Sequence, residues 1–506
     1  MWPFARQLFL SSCLSRSRLY SSAAQAKSSL PPTVAIVGSG PASFYVAQQL
    51  LKLHPSMQVD LLERLPVPFG LVRYGVAPDH PDVKNVITGF TKIARDPRLA
   101  FFGNVSVGTD VRLRHLMDAY TAVVLAYGAS RAKRLGIPGE DSLDNVLSAR
   151  DFVNWYNGFP GAENLKVDLA AAETAVIIGH GNVALDVARI LLSSPDRLRR
   201  TDAPEAVLRR LAEESEVRRV RLVGRRGLLQ AAFTTKEFRE LARLDGVGVC
   251  LEGAPSAAQL SPELLAGLPR PRRRLTELVL KSAENPEVAA QSPRQLTLHF
   301  LLSPLEFLAS STSPKRVGSV QLKRNRHSPA DSPTSDKVEG TDELVGLDCG
   351  LAVVSVGYEN VALDPLIPMD SRTGVVANDN GKISGLDNAY CAGWLKTGPS
   401  GVLLSTMSDS FHTAQRMLED LNSGRLPTES RTGRLALVKE LRSRGVRYTT
   451  FADWEQIDAA EQRSGRSLGK PREKILSVDD FLRAASDSSE LDDEDAPPVA
   501  SQQRMQ

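Results

Sequence analysis

The sequence predicts an α/β fold with parallel sheets that contains two separate Rossmann-like dinucleotide-binding domains. Three observations carry this prediction. A strand, a glycine-rich turn and a helix follow one another from Val34, and the same order recurs about 140 residues later, from Thr174. Strands and helices then alternate along the chain, which is typical of parallel sheets covered by helices. The separation of the two glycine turns is too long for consecutive units of one sheet and indicates two domains.

Composition limits the classes of protein that this chain can form. Its 506 residues suggest two to four domains, and a hydrophobic fraction of 42% with 24% charged residues excludes a collagen-like or wholly disordered chain. No apolar run approaches the roughly 18 residues that a membrane-spanning helix needs. The four cysteines are far apart, at Cys13, Cys250, Cys349 and Cys391. Their spacing excludes a CxxC redox pair, a zinc ribbon and a disulfide scaffold, and it predicts a reducing compartment and no metal site.

The first unit predicts a site for FAD or NAD. The strand Val34–Val37 runs into Gly38-Ser39-Gly40, where Gly38 allows a tight turn and Gly40 lets a pyrophosphate approach the N-terminus of the following helix. Ser43 stands where a third glycine is usual. The next strand ends at Glu63, whose carboxylate can accept hydrogen bonds from ribose hydroxyls and would repel a 2′-phosphate.

The second unit differs at the end of its second strand. After Thr174–Ile178 come Gly179 and Gly181, but the strand that follows ends at Arg225 and Arg226 instead of an acid. Paired guanidinium groups suit bidentate recognition of a phosphate monoester, so this unit predicts NADP. A basic turn by itself is more often part of the solvated surface. Here the turn follows a second glycine unit, which favours an NADP site instead. One site of each kind indicates a flavin-dependent NADPH oxidoreductase.

Three segments fall outside this pattern. Residues 1–20 hold three arginines and no acid, which predicts a mitochondrial transit peptide followed by a linker over 21–32; a disordered tail is the alternative. Between residues 284 and 342 the pattern weakens, with strand candidates at 295–302 and 317–324, and we expect a variable excursion of the second domain. Residues 486–506 hold six acids and one arginine and are predicted to be a disordered tail.

Several stretches together resemble the mitochondrial NADPH:adrenodoxin reductases, also called ferredoxin reductases. The stretches are GSGPASFYVAQQLL, VPFGLVRYGVAPDHPDVKNV, GHGNVALDVARILL, VGRRGLLQAAFTTKEFRE, CAGWLKTGPSGVL and GKPREKI, between about residues 34 and 482. The resemblance implies a glutathione-reductase-like fold. In that fold an NADP domain, residues 133–357, is inserted in an FAD domain made of residues 33–132 and 358–485.

The resemblance also implies an activity. FAD would take electrons from NADPH and pass them to an acidic [2Fe-2S] ferredoxin in the mitochondrial matrix, with at most peripheral contact with the inner membrane. That ferredoxin would supply haem monooxygenases of steroid synthesis and iron–sulfur cluster assembly. An NADPH oxidoreductase with another acceptor, a flavin monooxygenase and a non-catalytic nucleotide sensor remain alternatives. Residues 195–274 hold 17 basic and 11 acidic residues, but without interleaved aromatic residues they do not favour nucleic acid.

Site residues follow from the resemblance position by position. The implied flavin contacts are Ala42, Glu63, Leu71, Val107, Trp394, Gly401, Val402 and Leu403, in addition to Gly38 and Gly40 of the first glycine turn. The implied NADP contacts are His180, Gly181, Asn182, Val183, Arg225, Arg226, Glu237 and Gly401, in addition to Gly179 of the second glycine turn. His180, where the family usually has glutamine, would place a pH-sensitive ring beside a phosphate. His80 and Asp186 resemble a catalytic pair with an orienting, polar role near the flavin and the nicotinamide.

The resemblance further implies a basic surface that docks the ferredoxin. The matching residues are Lys52, Arg239, Arg270 and Arg274. Arg270 and Arg274 share one face if the helix predicted from Leu275 extends backwards, with Pro271 in its first turn. The alternative is a solvated cluster that keeps the protein soluble.

Overall fold

The computed structural model describes residues 31–255, 260–327, 334–427, 429 and 431–486. The predicted transit peptide 1–20, residues 21–30 of the predicted linker and residues 487–506 of the predicted acidic tail lie outside the described residues.

Strands and helices alternate through most of this range. The strands are β1 (Thr33–Val37), β2 (Gln58–Leu62), β3 (Leu99–Phe102), β4 (Ala122–Leu125), β5 (Arg131–Ala132), β6 (Val146–Ser148), β7 (Thr174–Ile178), β8 (Arg219–Val223), β9 (Val247–Glu252), β10 (Arg294–His299), β11 (Leu302–Ala309), β12 (Val317–His327), β13 (Val338–Asp348), β14 (Leu351–Val354), β15 (Tyr358–Glu359), β16 (Asn378–Asp379), β17 (Lys382–Ile383) and β18 (Ala389–Cys391). The helices are α1 (Pro41–Leu53), α2 (Leu71–Tyr74), α3 (Pro81–Lys84), α4 (Val86–Ala94), α5 (Leu113–Ala119), α6 (Ala149–Tyr156), α7 (Asn182–Leu192), α8 (Pro195–Leu198), α9 (Glu205–Glu213), α10 (Thr235–Ala242), α11 (Pro262–Gly267), α12 (Arg270–Ser282), α13 (Pro286–Gln291), α14 (Trp394–Thr397), α15 (Leu403–Asn422), α16 (Arg434–Ser443), α17 (Phe451–Ser467) and α18 (Val478–Ser486).

The first sheet takes its strands from two distant parts of the chain. Its order is β16-β17-β18-β4-β1-β2-β3, and β1 pairs in parallel with both β2 and β4. Every residue of β1 is buried, as expected for a parallel strand with both faces covered. Helices α1 and α15 pack against each other, with the ring of Tyr45 edge-on to that of Phe411. The first glycine turn therefore lies where the strand order changes direction, which is where α/β sheets bind ligands.

The second sheet has the parallel order β6-β14-β7-β8-β10-β9, and its strands come from residues 146–354. β7 pairs with β8 on one side and with β14 on the other, so the second glycine turn also follows a central strand. A two-stranded pair, β5 with β15, forms where the chain passes between the two sheets. The fold is thus the predicted pair of Rossmann-like units, one inserted in the other.

The weakly patterned segment is more ordered than the sequence predicts. β11, β12 and β13 form an antiparallel sheet of three strands. The single strand predicted at 295–302 is wrong, because β10 ends at His299 and β11 begins at Leu302. Leu301 has φ +58°, a left-handed conformation that breaks the strand and that the sequence pattern does not show. Within the described ranges, no helix is long and apolar enough to cross a membrane.

Candidate functional site

The first glycine turn joins β1 to α1. Gly38 has φ +103°, and a Cβ there would lie 2.7 Å from the carbonyl oxygen of Ala126, so only glycine fits. Gly40 caps α1 in an extended conformation, and a Cβ at this position would meet no atom within 4 Å. Pro41 begins the helix, where its missing N–H removes no intrahelical bond. The turn leaves an open space at a helix N-terminus, which is the geometry that binds a pyrophosphate.

A loop from the same domain packs against this turn. Gly70 lies so close that a Cβ there would be 3.2 Å from the Cα of Gly40. The backbone N–H of Phe69 also donates to the carbonyl oxygen of Ser39, at 3.0 Å. Leu71 follows at the start of α2 and is 38% exposed. The loop thus brings an apolar side chain to the edge of the open space.

Residues from the second half of the chain line another side of this open space. A Cβ at Gly393 would lie 2.7 Å from the Cβ of Ala42, which places the half-buried Trp394 beside the first turn of α1. Gly401 has φ +90°, and Val402 then caps α15 with 60% of its surface exposed. Leu403, the first residue of α15, is half-buried. Most residues predicted to contact the flavin therefore lie around the N-termini of α1 and α15.

Glu63 stabilises the first turn through hydrogen bonds from Ser39. Its Oε2 accepts hydrogen bonds from the N–H of Ser39 at 3.0 Å and from its hydroxyl at 2.8 Å, and its Oε1 accepts from the N–H of Leu65 at 3.1 Å. A carboxylate has about four acceptor positions, so Glu63 can still accept from a ribose. Val107 is buried in the apolar cluster that holds Leu62 and Phe102, the last residues of β2 and β3.

The second glycine turn repeats this design. Gly179 has φ +134°, and a Cβ there would overlap the carbonyl oxygen of Ser355. Gly181 caps α7, and a Cβ at Gly181 would again meet nothing within 4 Å. The side chain of Asn182 accepts a hydrogen bond from the N–H of Thr234 at 2.9 Å, which joins α7 to the start of α10. Val183 is half-buried in the first turn of α7.

A basic cavity lies beyond the end of β8. It has a volume of about 630 Å³ and is lined by three cationic residues, Arg225, Lys323 and Lys337, and by two carboxylates, Asp336 and Glu339, so that cations are in excess by one. The side-chain amide of Asn325 donates to the carbonyl oxygen of Arg225 at 2.9 Å, and one guanidinium nitrogen of Arg226 lies 2.7 Å from Asp336. Sequence reasoning missed both lysines, because they lie in the segment that was expected to be a variable excursion. The three cations suit a phosphate monoester.

His80, Asp186 and Glu237 come together between the two sheets, with their ligand atoms within 4.8 Å of one another. His80 Nε2 lies 2.5 Å from an oxygen of Glu240 and 3.6 Å from one of Glu237. The centre of the cluster is Arg189, whose side chain is fully buried and whose nitrogens lie 2.8 Å from Asp186 and 3.6 Å from Glu237. A guanidinium group already pairs with both carboxylates, so the arrangement indicates an ion-pair network and no cation site.

Arg189 also reaches the other domain. Its Nε donates to Asp79 at 2.6 Å. Burial opposes ionisation of Asp79, but the hydrogen bonds from Arg189 outweigh it and hold the pKa of Asp79 below its usual value. Burial raises the pKa of Asp186 to about 6, with Arg189 opposing the shift. Sequence reasoning missed Arg189, although an arginine three residues after Asp186 in an otherwise apolar helix is an available signal.

Comparison with known proteins agrees with this geometry. Residues 32–244 match the family model described as pyridine nucleotide-disulphide oxidoreductase. The chain is 48% identical over 458 residues to the mitochondrial NADPH:adrenodoxin oxidoreductase of Homo sapiens, with 89% of this chain and 91% of that protein covered. The chain belongs to the NADPH:adrenodoxin oxidoreductase family. This reductase is also 40% identical over 481 residues to the protein of that name from Arabidopsis thaliana, covering 93% and 98% of the two chains.

A solved structure shows the same fold. FprA from Mycobacterium tuberculosis in complex with NADPH superposes with a TM-score of 0.81 at 40% identity, covering 90% of the reductase and 99% of FprA. The predicted family and fold class are therefore confirmed, and the reductase is an NADPH-dependent FAD flavoprotein. The family model's description mentions disulphides, but this sequence has no closely spaced cysteine pair. Burial raises the pKa of the Cys391 thiol to about 12, which makes it unreactive.

The residues of the reductase fit both dinucleotides. At Gly40 and Gly181 a Cβ would project into open space, so the glycines leave room that the protein itself does not fill. The Oε2 atom of Glu237 is buried and lies 3.6 Å from a guanidinium nitrogen of Arg189 and from Nε2 of His80, so its charge is compensated within the protein. The room left at Gly40 and Gly181 is therefore the observation that supports the fit.

The expectation that His180 carries a pH-sensitive ring is wrong, because the ring is buried and its pKa is lowered. Its Nε2 lies 3.1 Å from the carbonyl oxygen of Leu222, and its ring packs edge-on against Phe233 and Phe300. A Cβ at Gly224 would overlap this ring, so glycine is needed there. Burial lowers the pKa of His180 to about 4, and the ring is neutral at physiological pH. Sequence reasoning could not see this burial, because the partners follow more than 40 residues later.

We expect His180→Gln to leave NADPH binding nearly unchanged. The neutral ring carries no charge for a phosphate, so the dissociation constant should change by less than about threefold, or under ~0.7 kcal/mol. Its pH dependence between about pH 6 and 8 should also be unaltered, because the titration of His180 is complete below that range. Fluorescence titration with NADPH at several pH values measures both. A change in pH dependence confined to the variant would contradict this account.

Proposed function

We propose that this reductase transfers electrons from NADPH, through FAD at the first glycine turn, to an adrenodoxin-type [2Fe-2S] ferredoxin in the mitochondrial matrix. The observation that carries the proposal is the contrast between the two turns. The strand after the first turn leads to Glu63, and the strand after the second leads to Arg225 and Arg226 beside a basic cavity. A carboxylate disfavours a 2′-phosphate and paired guanidinium groups favour one, so the two turns take different nucleotides.

The proposed roles of the chain follow from this assignment. Residues 33–132 and 358–485 form the FAD domain, and residues 133–357 form the NADP domain. When bound, FAD accepts two electrons from NADPH and releases them singly. His80 and Asp186 have an orienting, polar role between the two turns. Arg189 connects this region through its ion pairs with Asp186, Glu237 and Asp79. Gly401 leaves room for close approach of the nicotinamide, and the positive end of α15 faces the flavin site.

The location and pathway are also proposals. Curated relatives carry "mitochondrial" in their names, and the acid-free segment 1–20 has the composition of a matrix-targeting peptide. We infer that this segment is removed on import, and that contact with the inner membrane is at most peripheral. The reduced ferredoxin would then supply haem monooxygenases of steroid synthesis and iron–sulfur cluster assembly.

The ferredoxin is proposed to dock on the exposed face of α12. Arg270 and Arg274 are both exposed, and among the described residues neither forms an ion pair. In contrast, Arg272 donates to the carbonyl oxygen of Ala231 and Arg273 lies 4.0 Å from Glu277. The helix begins at Arg270, which meets the condition under which Arg270 and Arg274 share one face. The two outer arginines are thus free to meet an acidic partner, while the inner two have partners within the protein.

Two more basic residues belong to the proposed surface. Arg239 is exposed on α10, which packs directly against α12. Lys52 is exposed in the last turn of α1, on the FAD domain. Docking across both domains would bring an iron–sulfur centre toward the flavin from the side where the domains meet. Association driven by such charges is fast and sensitive to salt.

We expect Arg270→Glu/Arg274→Glu to slow ferredoxin reduction about tenfold or more at low salt, and to flatten the salt dependence of the rate. Steering by charge raises association rates over this range, and reversal turns attraction into repulsion. Steady-state reduction of ferredoxin at several ionic strengths measures the effect. NADPH-dependent reduction of a small neutral quinone should be unchanged, because the variant leaves both nucleotide sites intact.

A matched control is available in Arg209→Glu/Arg442→Glu, which reverses the same number of exposed arginines on α9 and α16. This control should keep most of the wild-type rate with ferredoxin. If both variants lost the same fraction of the rate, the effect would come from net charge, and α12 would not be the docking site.

A further inference from the structure

One short segment of the FAD domain pairs with the NADP domain through each of its polar side chains. The segment is Asp79–Lys84, and we call its contact with the NADP domain the seam. The pairs and their shortest distances are Asp79 with Arg189 at 2.6 Å, His80 with Glu240 at 2.5 Å, Asp82 with Lys236 at 3.0 Å and Lys84 with Asp202 at 2.7 Å. Four consecutive cross-domain pairs fix the register of one domain against the other.

A second segment, residues 470–474 of the GKPREKI stretch, reaches the NADP domain at the same place. Lys470 donates to the carbonyl oxygen of Ala203, and its side chain is 1% exposed. Glu473 accepts a hydrogen bond from the N–H of Glu205 at 3.0 Å, which caps the N-terminus of α9. Lys474 donates to the carbonyl oxygen of Asn157 at 3.0 Å. The proposed function gives this stretch no role.

Both segments meet at Asp202, in the loop between α8 and α9. Lys84 lies 2.7 Å and Lys474 lies 3.1 Å from the same oxygen of Asp202. The side chains of Lys84, Lys474 and Asp202 are 12%, 0% and 13% exposed, so this clamp of two ammonium groups on one carboxylate is largely removed from water. Separating one member of a buried ion pair leaves an uncompensated charge in the interior, which is strongly unfavourable. A small displacement of either domain would separate these groups and is therefore opposed.

Each lysine of the clamp attracts Asp202, while the two ammonium groups repel each other. Burial alone would raise the pKa of Asp202, but the charges of Lys474 and Lys84 outweigh burial and hold it well below its usual value. Burial lowers the pKa of Lys474 to about 7, with Asp202 opposing the shift. The carboxylate of Asp202 thus favours the charged form of Lys474, whereas burial and the positive charges of Lys84 and Arg73 oppose it.

We propose that Asp202 is a positioning residue, which holds the NADP domain at the angle required for electron transfer from bound NADPH to bound flavin. The proposal rests on the proposed function, since it needs one nucleotide on each side of the seam. Asp202 is outside both sets of predicted cofactor contacts and acts through Lys84 and Lys474. Reacting atoms must approach to about 3–3.5 Å in the correct orientation, and a misplacement of about 1 Å can cost 10²-fold in rate.

The test is the rate of flavin reduction in Asp202→Asn, measured anaerobically by rapid mixing at saturating NADPH. We expect this rate to fall about tenfold or more. The dissociation constant for NADPH should change less than about threefold, because the second glycine turn and the basic cavity are intact. Reoxidation of the dithionite-reduced variant by a small quinone should match wild type, since that step does not use the NADP domain. Asp202→Glu should recover most of the rate.

Two further variants complete the design. Asp196→Asn is the matched control, because Asp196 lies nearby in α8 and has a 93% exposed side chain, and within the described part of the chain its one ion pair is with Arg199 at 3.6 Å. It should behave as wild type. Lys84→Gln removes half of the clamp and should show the same pattern in weaker form, which keeps the test available if Asp202→Asn does not fold.

The results that would overturn the proposal are distinct. Wild-type flavin reduction in Asp202→Asn, or in Lys84→Gln where Asp202→Asn does not fold, would exclude a positioning role. A loss of NADPH affinity or flavin content equal to the loss of rate would assign the clamp to binding or folding. Failure of the proposed function looks different, because NADPH would then not reduce the flavin of the wild-type protein.

Discussion

Replacing Arg225 and Arg226 together with alanine is expected to raise the KM for NADPH by about 10²-fold or more and to leave the KM for NADH unchanged. Each charge-assisted hydrogen bond to the 2′-phosphate contributes about 1.5–3 kcal/mol, and about 1.4 kcal/mol corresponds to a factor of ten. NADH lacks this phosphate and loses nothing. Steady-state kinetics with both nucleotides and a small acceptor measure the ratio.

The fold should tolerate this double substitution. Arg225 is exposed, and Arg226 pairs with Asp336, a side chain that is itself 72% exposed, so neither guanidinium is needed inside the protein. Arg219→Ala is the matched control, because Arg219 begins the strand that leads to these arginines and, as far as the structure describes the chain, forms an ion pair with Glu173 alone. An equal loss with NADPH and NADH would show that the arginines support the site in general and do not select the phosphate.

Gly40→Val is expected to give a folded protein with little bound flavin. The φ of Gly40 is −77°, which any residue can adopt, and a Cβ there would meet no protein atom within 4 Å. The added side chain would instead enter the space assigned to the pyrophosphate. Overpacking by this amount costs about 1–3 kcal/mol or more, which lowers FAD affinity about 10²-fold.

The measurement is the flavin absorbance per mole of purified protein, together with circular dichroism to confirm folding. Gly89→Val is the matched control. A Cβ at Gly89 in α4 would also meet nothing within 4 Å, but Gly89 lies away from both glycine turns in the sequence. Gly89→Val should retain flavin. Normal flavin content in Gly40→Val would place the FAD elsewhere.

Local signals allowed much of the fold to be predicted from the sequence. The strand from Thr174 to Ile178 has the predicted bounds, because a buried parallel strand forms a continuous apolar run that here ends at a glycine turn. The break at Leu301 was missed, since a single residue with positive φ leaves no periodic trace. Structure in the segment 284–342 was underestimated because its antiparallel strands are half-exposed and rich in charge.

The site was predictable where its residues are near one another in sequence. Each glycine turn belongs to the same strand–helix–strand unit as its selecting residues, since Glu63 directly follows β2 and Arg225 and Arg226 follow β8. In contrast, Arg189 meets Asp79 across 110 residues, and Lys474 meets Asp202 across more than 250. Pairs of this kind depend on how two domains pack, which no local pattern records. The stretches that carry the resemblance contain Asp79, Arg189 and Lys474 but not Asp202, and the resemblance assigned no role to Arg189, Asp202 or Lys474.

The central claim is that one chain holds FAD and reduces it with NADPH. The most direct test is the absorbance spectrum of the purified protein, recorded before and after anaerobic addition of NADPH or NADH. We expect flavin bands that bleach on addition of about one equivalent of NADPH, and much less bleaching with the same amount of NADH. A protein without flavin bands, or with flavin that NADPH leaves oxidised, would contradict the account.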